Sequence, residues 1–155
     1  MRTRYHSHVP DTGWKDYATN TLHQAGHLRG AARLAVIDVL SQQDCCLTTR
    51  DIADTLRAQG TPAGTASIYR AVEVLHQLGL VQRLDVGDGT ARYEPTHPSG
   101  HHHHHLLCDD CGRVTAFEDD QLEHAINDLA KRVDHAIDAH DVLLRGTCPG
   151  CRHSQ

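Results

Sequence analysis

Aromatic residues are scarce in this 155-residue chain: they make up 4% of it, with one Trp, one Phe and four Tyr. A core must therefore consist mainly of Leu, Val, Ile and Ala. No apolar run approaches the ~18 residues that span a membrane, and the first ten residues lack the apolar segment of a secretion signal. We therefore expect a cytoplasmic globular protein. In that reducing compartment the six cysteines are expected to be metal ligands or reactive thiols rather than disulfides.

The formal net charge of −5 is unevenly distributed along the chain. Residues 1–94 hold ten basic and ten acidic side chains, whereas residues 95–155 hold five basic and ten acidic ones. The second segment also contains ten of the fifteen His and four of the six Cys. Two prolines and a glycine within 95–100 indicate a hinge between the two segments. The sequence therefore predicts an Arg-bearing domain at 1–94 and a metal-binding domain at 101–155.

Apolar periodicity predicts three helices in the first domain. One begins near Arg29, a second follows a capping-box pattern at Thr48–Asp51, and a third runs from Thr65 to about Leu78. A hairpin comes next, with strands at 80–84 and 90–93. Three helices and a hairpin predict a winged helix-turn-helix, a fold that binds DNA.

The second domain is predicted to be a small α/β unit. Its pattern indicates strands at 103–107, 114–117 and 140–144, with a helix over 119–133 before the last strand. Few apolar residues are available for a core, so we expect metal binding, dimerisation or both to stabilise this unit. The whole chain is thus predicted to be an α+β protein.

Two Cys-x-x-Cys pairs form the most specific motif of the sequence. Cys108 and Cys111 make the first pair, and Cys148 and Cys151 make the second. Each pair folds into a tight turn with two thiolates, and two such turns complete the closed four-sulfur site that zinc favours. The long spacing requires the fold to bring the last strand against the first. Two separate redox pairs are the alternative.

The run of five histidines at 101–105 lies directly before the first Cys pair. Alternate residues of a strand face opposite sides, so His103 and His105 would face one way and His102 and His104 the other. Such a strand can serve two metal sites, although a solvated polar run is the simpler alternative. Candidate partners are Glu123 and His140 for the second face, and Glu94, His97, Cys45 and Cys46 for the first.

The third predicted helix carries Ser67, Tyr69 and Arg70 near its start. Hydroxyl groups and a guanidinium at this position suit contacts with phosphate and with major-groove base edges. Arg29 and Arg33 are further candidates for phosphate contacts. By themselves these residues are equally compatible with an ordinary exposed helix face.

Taken together, the motifs resemble those of the ferric uptake regulator family of metal-dependent repressors over about Leu22–Arg152. The resemblance rests on Ser67-Ile-Tyr-Arg70, on the histidine run joined to Cys108-Asp-Asp-Cys111-Gly, on Glu123 and His140, and on Cys148-Pro-Gly-Cys151. It implies a winged-helix domain, a C-terminal α/β dimerisation domain and a homodimer on an inverted-repeat DNA operator.

The resemblance also implies three metal sites. A structural Zn²⁺ would be held by Cys108, Cys111, Cys148 and Cys151. The dimerisation-domain site would use His102, His104, Glu123 and His140. The interdomain regulatory site would use Glu94, His103 and His105 with a ligand from the first domain, for which we take Cys46 and, as a further candidate, His97.

The sequence departs from the family pattern at the ligand that the first domain contributes to the regulatory site. Many members have His where this chain has Cys46, which follows another cysteine, Cys45. A sulfur ligand suits Zn²⁺ better than Fe²⁺ and points toward the zinc uptake regulator branch, yet the hinge has Thr96 and His97 where that branch often has Cys. The regulatory ion, Zn²⁺ or Fe²⁺, therefore remains open.

The expected function is a non-enzymatic, metal-activated repressor that binds operator DNA as a homodimer and controls iron or zinc uptake genes. Two alternatives are a metal storage or delivery protein and a zinc-dependent hydrolase. Neither needs a winged-helix domain, and no His-Glu-x-x-His motif is present.

Overall fold

The computed structural model describes residues 12–27, 30–43, 45–98 and 103–152. The described residues form two compact units, one within 12–98 and one within 103–152. None of the described helices is long and apolar enough to cross a membrane.

The first unit is a winged helix with one helix more than the sequence pattern predicted. In chain order its elements are α1 (Thr12–Gln24), α2 (Ala31–Ser41), β1 (Leu47–Thr48), α3 (Thr49–Ala58), α4 (Thr65–Gln77), β2 (Val81–Asp85) and β3 (Ala91–Pro95). The strands form an antiparallel sheet in the order β1-β3-β2. The three predicted helices and the hairpin are therefore present, and α1 is the element that was missed.

A single apolar core holds the helices of this unit together. It combines residues from all four helices with residues of the first hairpin strand, among them Trp14, Ile37, Ile52, Leu75 and Val81. Each of the helices α3 and α4 buries one apolar face, which includes Ile52 of α3 and Leu75 of α4. The core packs α2 against α4, so the outward face of α4 is left for other contacts.

Local signals define where α3 begins and α4 ends. Thr48 is the N-cap of α3: the backbone N–H of Asp51 donates to Thr48 Oγ1 at 3.0 Å, and the Thr48 N–H donates to Asp51 Oδ2 at 2.9 Å. Gly79 follows α4 with a φ of +68°, a conformation that glycine adopts without strain. The predicted capping box is therefore found.

The hairpin strands extend further than predicted at their C-terminal ends. Val81 pairs with Pro95, and Gln82 pairs with Glu94. Pro95, predicted as the first hinge residue, therefore ends β3 instead. Glu94 lies within the strand and is buried.

The second unit contains the predicted strands and helix, with the predicted bounds for the strand at 114–117 and shifted ends for the others. Its elements are β4 (His104–Cys108), β5 (Val114–Phe117), α5 (Asp120–Arg132), β6 (Leu143–Gly146) and the short α6 (Pro149–Arg152). The sheet order is β5-β4-β6, with β4 antiparallel to β5 and parallel to β6. The last strand of the unit thus lies against its first, as the spacing of the Cys pairs required.

The prediction that the last strand begins at His140 is wrong. In the parallel register Leu143 of β6 faces His105, and β4 begins only one residue earlier, at His104. Residues before Val142 therefore have no β4 backbone to pair with, and His140 lies in the irregular segment that precedes the strand.

Candidate metal centres and nucleic-acid interface

Four cysteine sulfurs converge at one end of the second unit. Cys108 ends β4, Cys111 follows in the turn, Cys148 comes after β6, and Cys151 lies in α6. All four Sγ atoms lie within 4.8 Å of one another. The register places Cys108 opposite Gly146, so β6 carries the second pair to the first. The structure thus brings together all four predicted ligands.

Backbone groups favour the thiolate form of Cys108 within this cluster. The N–H of Cys148 donates to Cys108 Sγ at 3.3 Å, and this bond, with the backbone N–H of Cys111, lowers the pKa of Cys108 to about 6. Hydrogen bonds with the thiols of Cys148 and Cys111 raise the pKa of Cys151 to about 12. Four thiols whose sulfurs lie within 4.8 Å of one another have the donor set of a closed metal site.

A second cluster joins β4, α5 and the segment before β6. His104 Nε2 lies 2.7 Å from Glu123 Oε1, and His140 Nε2 lies 3.2 Å from Glu123 Oε2. The two imidazole rings are 5.3 Å apart between centroids. Asp119 caps α5 by accepting the Leu122 N–H at 2.8 Å, which fixes the first turn that carries Glu123. The fourth predicted ligand of this site, His102, lies outside the described residues.

His103 lies directly before β4 and His105 is the second residue of the strand, and the two side chains come together as alternation predicted. The rings of His103 and His105 are 5.2 Å apart between centroids in an edge-on arrangement. His105 is buried, whereas His103 is half-buried.

The ligands that the first domain is predicted to contribute to the regulatory site lie at one end of the small sheet of the first unit. Cys46 is buried directly before β1, and the buried Glu94 of β3 accepts a hydrogen bond from the amide of Gln82. The hydrogen bond with the Cys45 thiol, burial and the negative charge of Glu94 raise the pKa of Cys46. His97 follows β3 and is half-buried.

The outward face of α4 carries the residues predicted to contact DNA. Tyr69 is 55% exposed, Arg70 is exposed, and Arg70 Nη2 donates to Ser67 Oγ at 3.3 Å. Arg33 lies on α2 and is partly exposed, while Arg29 lies outside the described residues. One helix face therefore presents hydroxyl and guanidinium groups together, a pattern suited to a nucleic-acid backbone and base edges.

A winged helix with a polar outward helix, followed by a unit with clustered Cys, His and Glu side chains, defines a metal-responsive transcription regulator. A sequence profile of the ferric uptake regulator family matches residues 24–145. The chain belongs to this family.

Individual relatives agree with this assignment. The chain is 32% identical over 125 residues to the ferric uptake regulation protein of Vibrio parahaemolyticus, covering 79% of this chain and 83% of that protein. It is 29% identical over 138 residues to the ferric uptake regulation protein of Bacillus subtilis, covering 88% and 93% of the two chains. The crystal structure of the Vibrio cholerae ferric uptake regulator is similar with a TM-score of 0.73 and 30% identity, covering 84% of this chain and 98% of that one.

Proposed function

We propose that this regulator is a homodimeric repressor of metal-uptake genes that binds an inverted-repeat operator when a divalent metal ion occupies its regulatory site. The observation that carries the proposal is the division of chemistry between the units. One presents Ser67, Tyr69 and Arg70 on a single helix face, and the other gathers metal donors into separate clusters. A protein of this kind acts by binding rather than by turnover, in the cytoplasm where the DNA is.

The four-cysteine cluster is proposed as the structural Zn²⁺ site. Its donor set fits zinc, because four thiolates around one centre fill the tetrahedral shell and leave no open position for a substrate. Bound there, the ion would tie Cys108 and Cys111 of the first turn to Cys148 and Cys151 of the second. The zinc would thereby supply stability that the small core of this unit lacks.

The cluster of His104, Glu123 and His140 is proposed as the dimerisation-domain metal site, with His102 as its fourth ligand. Two imidazole nitrogens already lie within 3.2 Å of one carboxylate, and this mixed nitrogen and oxygen set suits a divalent transition metal.

The regulatory site is proposed to use Glu94 and Cys46 of the first domain with His103 and His105 of the second, and His97 as a further candidate. The resemblance to the family implies this combination, and all of these side chains are half-buried or buried. An ion with ligands from both domains would fix the two winged helices of a dimer at the spacing of successive half-sites. By linkage, operator DNA should raise the affinity for the ion equally.

In this proposal α4 enters the major groove. Arg70 would address a guanine edge, and Tyr69 and Ser67 would contact phosphate or base. Arg33 and Arg29 would bind phosphates, which fix the register of the protein on the duplex. The neutral charge balance of residues 1–94 is compatible with this arrangement, because local placement of arginines governs phosphate contacts.

Exposed apolar side chains of the second unit support the dimer. Leu106 and Leu144 face each other across β4 and β6 and are 37% and 47% exposed. Leu129 of α5 and Val133, the residue that follows α5, are four residues apart and are 46% and 57% exposed. Large apolar side chains exposed in pairs are typical of an association site, and a second copy of the chain would cover them.

The test is DNA binding as a function of free metal. Anaerobic anisotropy titrations would use the promoter DNA next to the protein's own gene and dimer already loaded with structural zinc, with Zn²⁺ and Fe²⁺ added separately in buffered solutions. We expect one of these ions to raise DNA affinity by about 5–150-fold, the usual range of allosteric coupling.

The His103→Ala variant should remain a folded dimer yet lose this metal response. His135→Ala is the matched control, because His135 is an exposed histidine of the same unit outside the proposed sites. A metal response that survives unchanged in His103→Ala would contradict the regulatory site. DNA binding that ignores metal in the wild-type protein would contradict the proposed function itself.

A further inference from the structure

Two adjacent cysteines of the first unit point to the same side of the chain. Neighbouring residues of an extended chain direct their side chains to opposite sides. The backbone bends at Cys45, however, and Cys45 Sγ lies 3.7 Å from Cys46 Sγ. The pair lies between α2 and β1, directly before the Thr48 cap of α3. The bend therefore presents two sulfur donors as a preformed chelate.

The separation of these sulfurs matches that of two ligands on one tetrahedral ion. Two metal–sulfur bonds of about 2.3 Å at a tetrahedral angle place their sulfurs about 3.8 Å apart. Within the four-cysteine cluster, Cys111 Sγ and Cys148 Sγ are 3.9 Å apart. The Cys45–Cys46 pair thus has the sulfur spacing that the chain uses where it assembles a four-thiol site.

The charges around the pair favour a cation. Leu47 pairs with Tyr93 in the antiparallel β1–β3 register. Cys46, which precedes Leu47, therefore lies near Glu94, which follows Tyr93. The negative charge of Glu94 contributes to the raised pKa of the Cys46 thiol. The nearby guanidinium of Arg92 is already bound by Asp88, with Nη2 2.7 Å from Oδ2. Two thiolates beside a buried carboxylate would repel one another unless a cation lay between them.

We propose that Cys45 and Cys46 act together as a dithiolate that makes the regulatory site selective for a thiophilic divalent ion, Zn²⁺, over Fe²⁺ and Mn²⁺. The inference rests on the proposed regulatory site and adds Cys45 to its ligands. Sulfur donors favour zinc over harder ions, and binding releases the two thiol protons to solvent. The vicinal pair would thereby set which metal the regulator senses.

Cobalt(II) is a suitable probe, because thiolate-to-cobalt charge transfer produces near-ultraviolet absorbance in proportion to the number of thiolate ligands. Co²⁺ binds protein sites more weakly than Zn²⁺, so it would be added anaerobically to full-length dimer whose four-cysteine site is filled with zinc. The variants are Cys45→Ser and Cys46→Ser. Gln43→Ser is the matched control, since Gln43 is an exposed residue of the same loop.

We expect each cysteine variant to lose about half of the wild-type charge-transfer absorbance at saturation, and Gln43→Ser to lose none. In the DNA-binding titration, Cys45→Ser should need at least about tenfold more free Zn²⁺ than the wild type to reach half-maximal DNA binding. A tenfold loss of metal affinity is the lower end of what is found when a residue that only hydrogen-bonds to a metal ligand is replaced. The free Fe²⁺ concentration that Cys45→Ser needs for half-maximal DNA binding should change by a smaller factor. Cys45→His, which keeps a ligand but removes the sulfur, should restore Zn²⁺ affinity in part while the absorbance stays halved.

Full absorbance in Cys45→Ser, or an unchanged Zn²⁺ requirement, would overturn the inference and leave the proposed function intact. Should Cys45→Ser fail to fold by circular dichroism, full absorbance in Cys45→His would overturn it equally. Wild-type DNA binding that ignores metal would refute the proposed function, and the absorbance series would still decide whether the two thiolates bind one ion.

Discussion

At the scale of single residues, short-range backbone features position the metal donors. Gly112 follows the first Cys pair with a φ of +71°, and its N–H donates to the Cys108 carbonyl at 2.8 Å, closing the turn that holds Cys108 and Cys111 together. Asp119 does the same for α5, where the N-cap fixes the turn that carries Glu123. These features are readable from the sequence, because turns and caps depend on residues only a few positions apart.

The contribution of the N-cap of α3 to stability can be tested by mutation. Replacing Thr48 with Ala removes the side chain that accepts the Asp51 N–H, and we expect a loss of about 1 kcal/mol in the free energy of unfolding. Urea denaturation followed by circular dichroism would measure it. Thr61→Ala, at an exposed position after α3, is the control and should change stability by about 0.5 kcal/mol or less. Equal effects of the two variants would show that the cap contributes nothing particular.

At the scale of elements, the main difference between expectation and structure is α1. Its apolar residues are few and spaced four apart, with Trp14, Ala18 and Leu22 all buried. That spacing is the pattern of one helix face, and it could have revealed the helix. Three apolar residues on one face are weak evidence for a helix in a sequence. Helix α1 is stabilised because this face packs against the core that the other helices provide.

Helix α1 is expected to contribute strongly to the first unit through Trp14. This residue is 1% exposed, and its indole Nε1 donates to the Leu80 carbonyl at 3.1 Å, tying the helix to the start of the hairpin. Trp14→Ala should cost about 3–5 kcal/mol, as large-to-small core substitutions do. Chemical denaturation would measure the loss. Tyr17→Ala on the exposed side of the same helix should cost much less, and a similar cost would mean that α1 is not docked through Trp14.

At the scale of the whole molecule, the two units are stabilised in different ways. The first has a core drawn from four helices and a hairpin. Among residues 103–152, by contrast, the buried apolar side chains are Leu107 and Cys108. So small a core is insufficient alone, and the same unit carries clustered cysteines and exposed apolar side chains. Zinc binding and dimerisation are the means we propose for its stability.

The proposed dimer makes a prediction about Leu144. A Glu at this exposed position would place a charge inside the apolar contact, at a cost of at least about 3 kcal/mol, which is about a hundredfold in the dimer Kd. Sedimentation velocity of the zinc-loaded protein would measure it. Gln121→Glu adds the same charge at an exposed position of α5 and should leave the dimer intact. A Leu144→Glu protein that remains dimeric at the same concentrations would show that the interface lies elsewhere.

Local signals were sufficient to predict the capping box, helices α2 to α5, the hairpin and the two Cys-x-x-Cys turns from the sequence. The sequence also determined the family, because the histidine run and the Cys pairs are contiguous motifs. Three features became visible only in the folded chain: β6 pairs with β4 from Leu143 onward, His140 precedes the strand and still reaches Glu123, and Cys45 and Cys46 converge. These depend on register and on a backbone bend, which are set by packing between residues far apart in the chain.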